Sequence, residues 1–398
     1  NGNVRFYING SDQGQANTSS LAGALVSPAV NNDTNSASFK LNAGQRPFAY
    51  TPPTDHLPLV TTSFNDPTIA DGSTAFDTKL YSNEPSSVSG YSFSPDFIWL
   101  KRRSQSADHG LYDIVRGANK LLYSSVTNSE ETAAGVSAFN SDGFDLGSNA
   151  LFRGSGQTFV AWAWDGGSST VSNTDGSITS NVRASQSAGF SICTYTGSSG
   201  NQSFGHGLND APKFIAIKNR SSSANWFVMI DIGTTYYKYG HLNTTAAFAD
   251  ATAQPVSSTT VTLGNNNAWF GANGDNYVAY CFAPVEGYSA FGSYTGNGSS
   301  DGPFVFTGFR PKFILIKNAD IGSTGYDWYI YDTERDPYNV SDAYLMPNLS
   351  TRELSYAAFD LLSNGFKLRQ TGASVNGSGN THVFACFAEH PFKTSRAR

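Results

Sequence analysis

Apolar residues in this chain fall in short runs separated by Gly, Ser, Thr and Asn, and one run comes back three times. It reads PDFIWLKRRS from Pro95, PKFIAIKNRS from Pro212 and PKFILIKNAD from Pro311. In each copy a proline and one charged residue precede four apolar residues, and Lys101, Lys218 or Lys317 closes the run. Such a run, bounded by proline and charge and too short for an ordinary helix, predicts a strand buried on both faces. A lysine at the end of a buried strand is expected to snorkel, laying its stem on apolar surface and its ammonium in solvent.

The flanks repeat as well. Upstream, Leu80-Tyr81-Ser82-Asn83, Tyr195-Thr196-Gly197 and Tyr294-Thr295-Gly296 mark a turn that ends an apolar strand. Downstream, GLYDIVRG, NWFVMIDIG and DWYIYDTERD predict a second, aromatic strand. FNSDGFDLG (139–147) and FDLLSNGFKLR (359–369) set Asp-Gly or Asn-Gly between apolar runs, a hairpin signal that VTLGNNN matches weakly in the middle copy. The alternating strands FVAWAW (159–164), YVAYCF (277–282) and HVFACF (382–387) close the copies. Five landmarks in one order, three times over, define an internal repeat. Each copy is long enough to be a small domain with its own core.

The expected organisation is a first repeat over 59–170, a linker or hairpin over 171–189, and further repeats over 190–287 and 288–398. Within 166–189, Val171 and Ile178 flank a Thr174-Asp175-Gly176 turn, so this stretch reads as a flexible linker or as a hairpin lying on the first copy. The best helical candidate is a short segment near Glu130–Val136. Three repeats can form separate sandwiches or one pseudo-threefold body, and the pattern leaves both open.

Composition agrees with an all-β chain: 14% of residues are aromatic, and turn-forming residues fill the gaps between runs. The formal charge of −6 is spread thinly, and basic clusters are confined to Lys101-Arg102-Arg103 and the Arg396–Arg398 end, which argues against a nucleic-acid partner. No apolar run approaches the length needed to insert in a membrane as a helix. The 3 cysteines are odd in number and lack metal-ligand spacing. Cys281 and Cys386 stand where the first copy has Ala163, which marks a slot for a small hydrophobe and not a disulfide framework.

The 6 histidines are scattered, with no HExxH and no cysteine–histidine ligand set. No nucleophile elbow, phosphate loop or EF-hand spacing occurs, so no catalytic residue, cofactor or metal is predicted. Asp332, Glu334 and Asp336 are the densest carboxylate group; on a strand they would share one face, as an exposed edge that guards against aggregation or as a hydrolase pair. Arg102, Arg103, His109 and Arg116 are expected at solvated strand ends and loops, with phosphate or sulfate binding as the alternative. Tyr236, Tyr237 and Tyr239 are the candidate glycan-binding residues, because aromatic faces stack on sugar rings while neighbouring polar groups bond to hydroxyls.

Residues 1–58 differ from the repeats. Phe6-Tyr7-Ile8-Asn9-Gly10, then Pro28-Ala29-Val30, then Asn42-Ala43-Gly44-Gln45-Arg46-Pro47-Phe48 resemble the last third of a SPRY domain, with Ala43 where that family has Phe. The resemblance implies the C-terminal part of a concanavalin-like β-sandwich, whose missing strands are expected to lie elsewhere. The fold class is then all-β: a C-terminal portion of a SPRY-like β-sandwich over 1–58, followed by three repeated β-sandwich-like modules. This arrangement resembles structural proteins of marine tailed phages, cyanophages among them. The resemblance implies a non-enzymatic virion appendage, such as a tail fibre, that binds a host-surface glycan as a homo-oligomer, a trimer above all. It also implies assembly in the host cytoplasm, where free cysteines stay reduced, and a final place on the virion surface. The alternatives are an architectural protein that decorates a capsid or forms filaments, and a glycan depolymerase.

Overall fold

A computed structural model describes residues 4–8, 11–16, 67–264 and 267–391. The chain divides into two compact units, Asn1–Asp66 and Pro67–Arg398. In the first, Val4–Ile8 pairs antiparallel with Ser11–Ala16; Asn9 and Gly10 of the SPRY-like line lie outside the described residues. The Pro28–Val30 and Asn42–Phe48 segments of that resemblance lie outside the described residues.

The second unit is almost entirely antiparallel β-structure built on one plan used three times. In the first repeat the sheet runs Phe76–Ser82, Thr158–Trp164, Phe97–Arg102, Gly110–Asp113, Lys120–Tyr123, Glu131–Thr132. The closing strand thus lies between the lead strand and the proline-led strand. The second repeat keeps this order from Phe190–Thr196 through Asn276–Phe282 and Phe214–Asn219 to Phe227–Ile230. So does the third, from Ser289–Thr295 through Thr381–Pro391 and Phe309–Asn318 to Tyr329–Asp332.

A smaller sheet backs each large one. The predicted hairpins are present as Val136–Asn140 with Gly143–Leu146, and Leu354–Leu362 with Gly365–Leu368. The weakly matching middle copy has Thr260–Gly264 paired with Gln202–Gly205 instead. The Glu130–Val136 segment is not helical: Glu131–Thr132 is an edge strand and Val136 begins another. The 171–189 stretch is a hairpin and not a flexible linker: Thr170–Asn173 and Ser180–Ser185 extend the sheet of the second copy, while Arg183 and Ser185 also reach Asp96 and Asp165 of the first.

Strand alternation explains why the proline-led runs are apolar throughout. Ile98, Leu100, Ala161 and Ala163 face the first repeat's small sheet, in a core with Val88, Val136 and Phe144. Ile215, Ile217, Ala279 and Cys281 do the same in the second repeat. The opposite faces of all three large sheets meet in one continuous core. At its centre Trp164, Phe282 and Phe387, equivalent residues of the three closing strands, contact one another with ring centroids 5.5 to 6.3 Å apart. The apolar cavity at this centre measures about 30 Å³, near the volume of one water, and is a packing gap and not a ligand chamber. The three repeats are therefore sandwiches closed into one pseudo-threefold body.

Candidate functional site

The three lysines do not reach solvent. Lys101, Lys218 and Lys317 are fully buried, and each donates to one carbonyl of its own repeat and one of a neighbour. Lys218 Nζ bonds to Ala224 at 2.8 Å and to Thr127 of the first repeat at 3.0 Å. Lys317 Nζ bonds to Tyr326 at 2.7 Å and to Thr245 of the second repeat at 2.9 Å. Lys101 Nζ bonds to Ala107 and, at 3.0 Å, to Ser350 of the third. The contacts run in a ring, each repeat holding its predecessor and the first holding the third. Snorkelling fails here because the strand end that should meet water meets the next repeat's loop. Burial disfavours the ammonium and brings each of the three down to about 8 from the ordinary 10.5.

A second ring lies beside the first. Trp226 Nε1 donates to Tyr123 at 2.7 Å, Trp328 Nε1 donates to His241 at 3.0 Å, and His109 Nε2 lies 3.1 Å from the carbonyl of Met346. His109 holds the place the other copies give to tryptophan. Its Nδ1 accepts from Trp99 Nε1 at 2.9 Å, so Nε2 carries the proton of a neutral ring. Burial first, then Lys101 nearby, pushes its pKa well below the usual histidine range.

Of the basic residues expected at solvated strand ends, Arg103, His109 and Arg116 lie instead in these interfaces, while Arg102 stays partly exposed at its strand end. Arg116 is buried between Asp113 and Glu130, and Glu130 also takes Arg220 of the second repeat at 2.9 and 3.0 Å. Arg335 is buried between Asp332 and Glu353, and Glu353 takes Arg103 of the first repeat at 2.8 Å through both oxygens. Arg102 lies over the Phe159 ring and donates to the Ala150 carbonyl. These side chains have carboxylates, a ring or carbonyls where a phosphate would sit. The equivalent contact between the second and third repeats is apolar: Phe248 packs on Trp328, and its N–H bonds to Ala319.

Asp332, Glu334 and Asp336 do not share a strand face, because the strand ends at Asp332 and the next residues turn. Asp332 is buried and accepts from Arg335 and, at 2.9 Å, from Trp162 Nε1 of the first repeat. Asp336 accepts from the backbone N–H of Asp342, and Glu334 is exposed. This is a structural carboxylate with two separate neighbours, neither an acid–base pair nor an exposed edge. Among the described residues no group of three His, Cys, Asp or Glu is placed to hold a metal ion.

Of the candidate tyrosines, Tyr236 is 46% exposed. Tyr237 and Tyr239 are half-buried against the second repeat's core. The Tyr237 hydroxyl donates to Pro212 at 2.9 Å, and the Tyr239 ring tilts against Phe227. One ring of the three is thus available to a partner. Further exposed aromatic rings belong to the third repeat: Phe304, Phe306, Tyr338 and Tyr356.

One signal for the buried ion clusters is in the sequence. Asp-x-x-Arg recurs at the same landmark, Asp113 to Arg116 and Asp332 to Arg335, while the second copy has Ile230 and Gly233 at those two positions. A buried anion–cation pair two repeats share, and one lacks, marks specific interfaces. No curated protein matches the chain. A family model does match, over residues 71–391, which begins at the first repeat's opening turn and ends with the third repeat's closing strand. The chain therefore belongs to the family described as a domain of unknown function, DUF7483.

Proposed function

We propose that the chain is a non-enzymatic part of a virion appendage, a tail fibre, that attaches to a host-surface glycan. The observation that supports this reading best is how the body spends its ionisable groups. Lys101, Lys218, Lys317, Arg116, Arg335, His109 and Asp332, the groups with most chemical potential, are buried in contacts that hold three sandwiches together. Such an arrangement favours a rigid, durable carrier over a reactive cleft. Its three cysteines are free and buried, which suits assembly in a reducing cytoplasm.

A second, architectural reading has an observation of its own. Phe304 and Phe306 lie exposed on the edge strand Phe304–Phe306, where the first copy has Ser87 and Ser89. Two exposed rings on an unpaired edge invite self-association. The native mass of the particle, with an electron micrograph, separates the two. Discrete trimeric rods that adhere to host cells support the appendage; open filaments or a lattice that adhere to no cell overturn it.

A further inference from the structure

The hairpin Thr170–Asn173 and Ser180–Ser185 has no counterpart in the third repeat, whose large sheet begins with its lead strand. It adds a wall to the body, and between this wall and the first repeat lies a polar groove of about 720 Å³. The groove is broad and open to solvent, so a ligand would lie along it and not inside it. At its floor Gly167, at φ +96°, sets its backbone against the Ala184 carbonyl, where a Cβ would lie 2.4 Å from that oxygen.

Its polar groups are mixed in sign and partly unspent. Arg183 is anchored through Nε, 3.0 Å from Oδ1 of the fully buried Asp96, while its two terminal amino groups have no partner among the described residues. The hydroxyls of Ser168 and Ser187 line the groove exposed and likewise unpartnered among the described residues. Asp165 accepts from Gly167 N at 2.9 Å and Ser185 Oγ at 3.3 Å, which leaves lone pairs for a further donor. An anion would meet the Asp165 carboxylate, and an apolar ligand would strand the arginine. A neutral polyol satisfies donors and acceptors together.

We propose that this groove binds a neutral sugar, with adjacent ring hydroxyls shared between the Arg183 amino groups, the Asp165 carboxylate and the two serines. The inference rests on the attachment reading above and gives it a site other than the tyrosines. The test is saturation-transfer NMR on the full chain with glucose, galactose, mannose and N-acetylglucosamine, beside adhesion of the same chain to host cells. Ser187→Trp and Ser168→Trp each put a large ring into the groove from an exposed position, so neither should disturb folding, which tryptophan fluorescence checks. The expected result is transfer to at least one sugar, weakened tenfold or more by either tryptophan and unchanged by Tyr236→Ala. Transfer that survives both tryptophans overturns the groove and leaves attachment standing. Adhesion to cells without transfer to any of the four sugars also overturns the groove alone. Neither transfer nor adhesion overturns both.

Discussion

Raising the pH from 7 to 9 should stabilise the repeat body, and three buried lysines set the size of the effect. Lys101, Lys218 and Lys317 each titrate at about 8 in the folded chain against 10.5 when unfolded, chiefly through burial. A group whose folded pKa is depressed contributes its stability in full above the unfolded value and loses it as pH falls through the folded value. Between pH 7 and 9 the unfolded chain keeps its lysine protons while the folded chain sheds most of them. Linkage then gives about 1.3 kcal/mol per lysine, or about 4 kcal/mol for the three. Cys281, Cys386 and the buried tyrosines oppose this, because burial raises their folded values and their stability is lost as pH rises. By pH 9 they remove about 1.5 kcal/mol, and a net gain of about 2.5 kcal/mol remains. Above pH 10 the tyrosines take over and stability should fall. Urea unfolding followed by tryptophan fluorescence measures this, since all 6 tryptophans lie in the second unit. The triple variant Lys101→Met, Lys218→Met, Lys317→Met should lose the rise. A profile that is flat or falling from pH 7 to 9, or a rise that persists in the triple variant, would refute the reasoning.

Glu130→Gln leaves Arg116 and Arg220 short of their shared anion, and should cost about 3 kcal/mol in urea unfolding. Trp164→Ala opens the centre of the body, where its ring meets Phe282 and Phe387, and should cost about 3 to 5 kcal/mol in the same assay. Gly143→Ala sets a Cβ 2.0 Å from the Val88 carbonyl and should destabilise by at least about 1 to 3 kcal/mol, read as a lowered midpoint. In acid, Glu130 and Glu353, held below the usual glutamate range by their arginines against the opposing effect of burial, give up their stabilisation as pH falls below about 4.5. Hydrogen exchange at pH 3 to 4 should therefore deprotect Gly110–Asp113 of the first repeat before Phe227–Ile230 of the second.

The strands were legible because burial on two faces leaves a mark that period and composition both carry. Phe97–Arg102, Phe214–Asn219 and Phe309–Asn318 form where the proline-led runs place them, and hairpins form at the Asp-Gly and Asn-Gly signals, with Ser141-Asp142 and Ser363-Asn364 as the turns and Gly143 and Gly365 opening the next strands. The destinations of the charged residues were not legible. A lysine after an apolar run has the same sequence whether its ammonium enters water or a ring of carbonyls, and the difference lies in loops of another repeat: Ser350, Thr127 and Thr245. Glu130 misled in a similar way, since a good helix former was needed there as an anion between two arginines. Tyr236, Tyr237 and Tyr239 read together as loop residues in the sequence, but Tyr239 lies on the strand Lys238–His241 with its ring against Phe227, and the Tyr237 hydroxyl reaches the Pro212 carbonyl.

The repeats diverge in ways that follow from closing a ring. Three identical copies would need the same contact three times, yet only two of the three interfaces carry the glutamate between arginines. The third replaces Glu by Phe248 and the second arginine by Ala319, keeps the backbone bond between them, and packs Trp328 on the Phe248 ring. The same division appears on the axis side. Trp162 bonds to Asp332 and Tyr280 to Asp113, each across an interface that has the ion cluster, while the third closing strand has Ala385 at that position. Polar partners were therefore kept or lost together at each interface, as a network requires, because a buried arginine or aspartate stranded by loss of one partner costs more than an apolar contact in its place. An asymmetric body has one further consequence: features added to a single copy appear once. The hairpin groove beside the first repeat and the exposed Phe304 and Phe306 of the third are such additions, and each occurs where the shared scaffold needs nothing. Binding chemistry is better sought in them than in the residues that repeat, because what recurs in all three copies is accounted for by the contacts that hold the copies together.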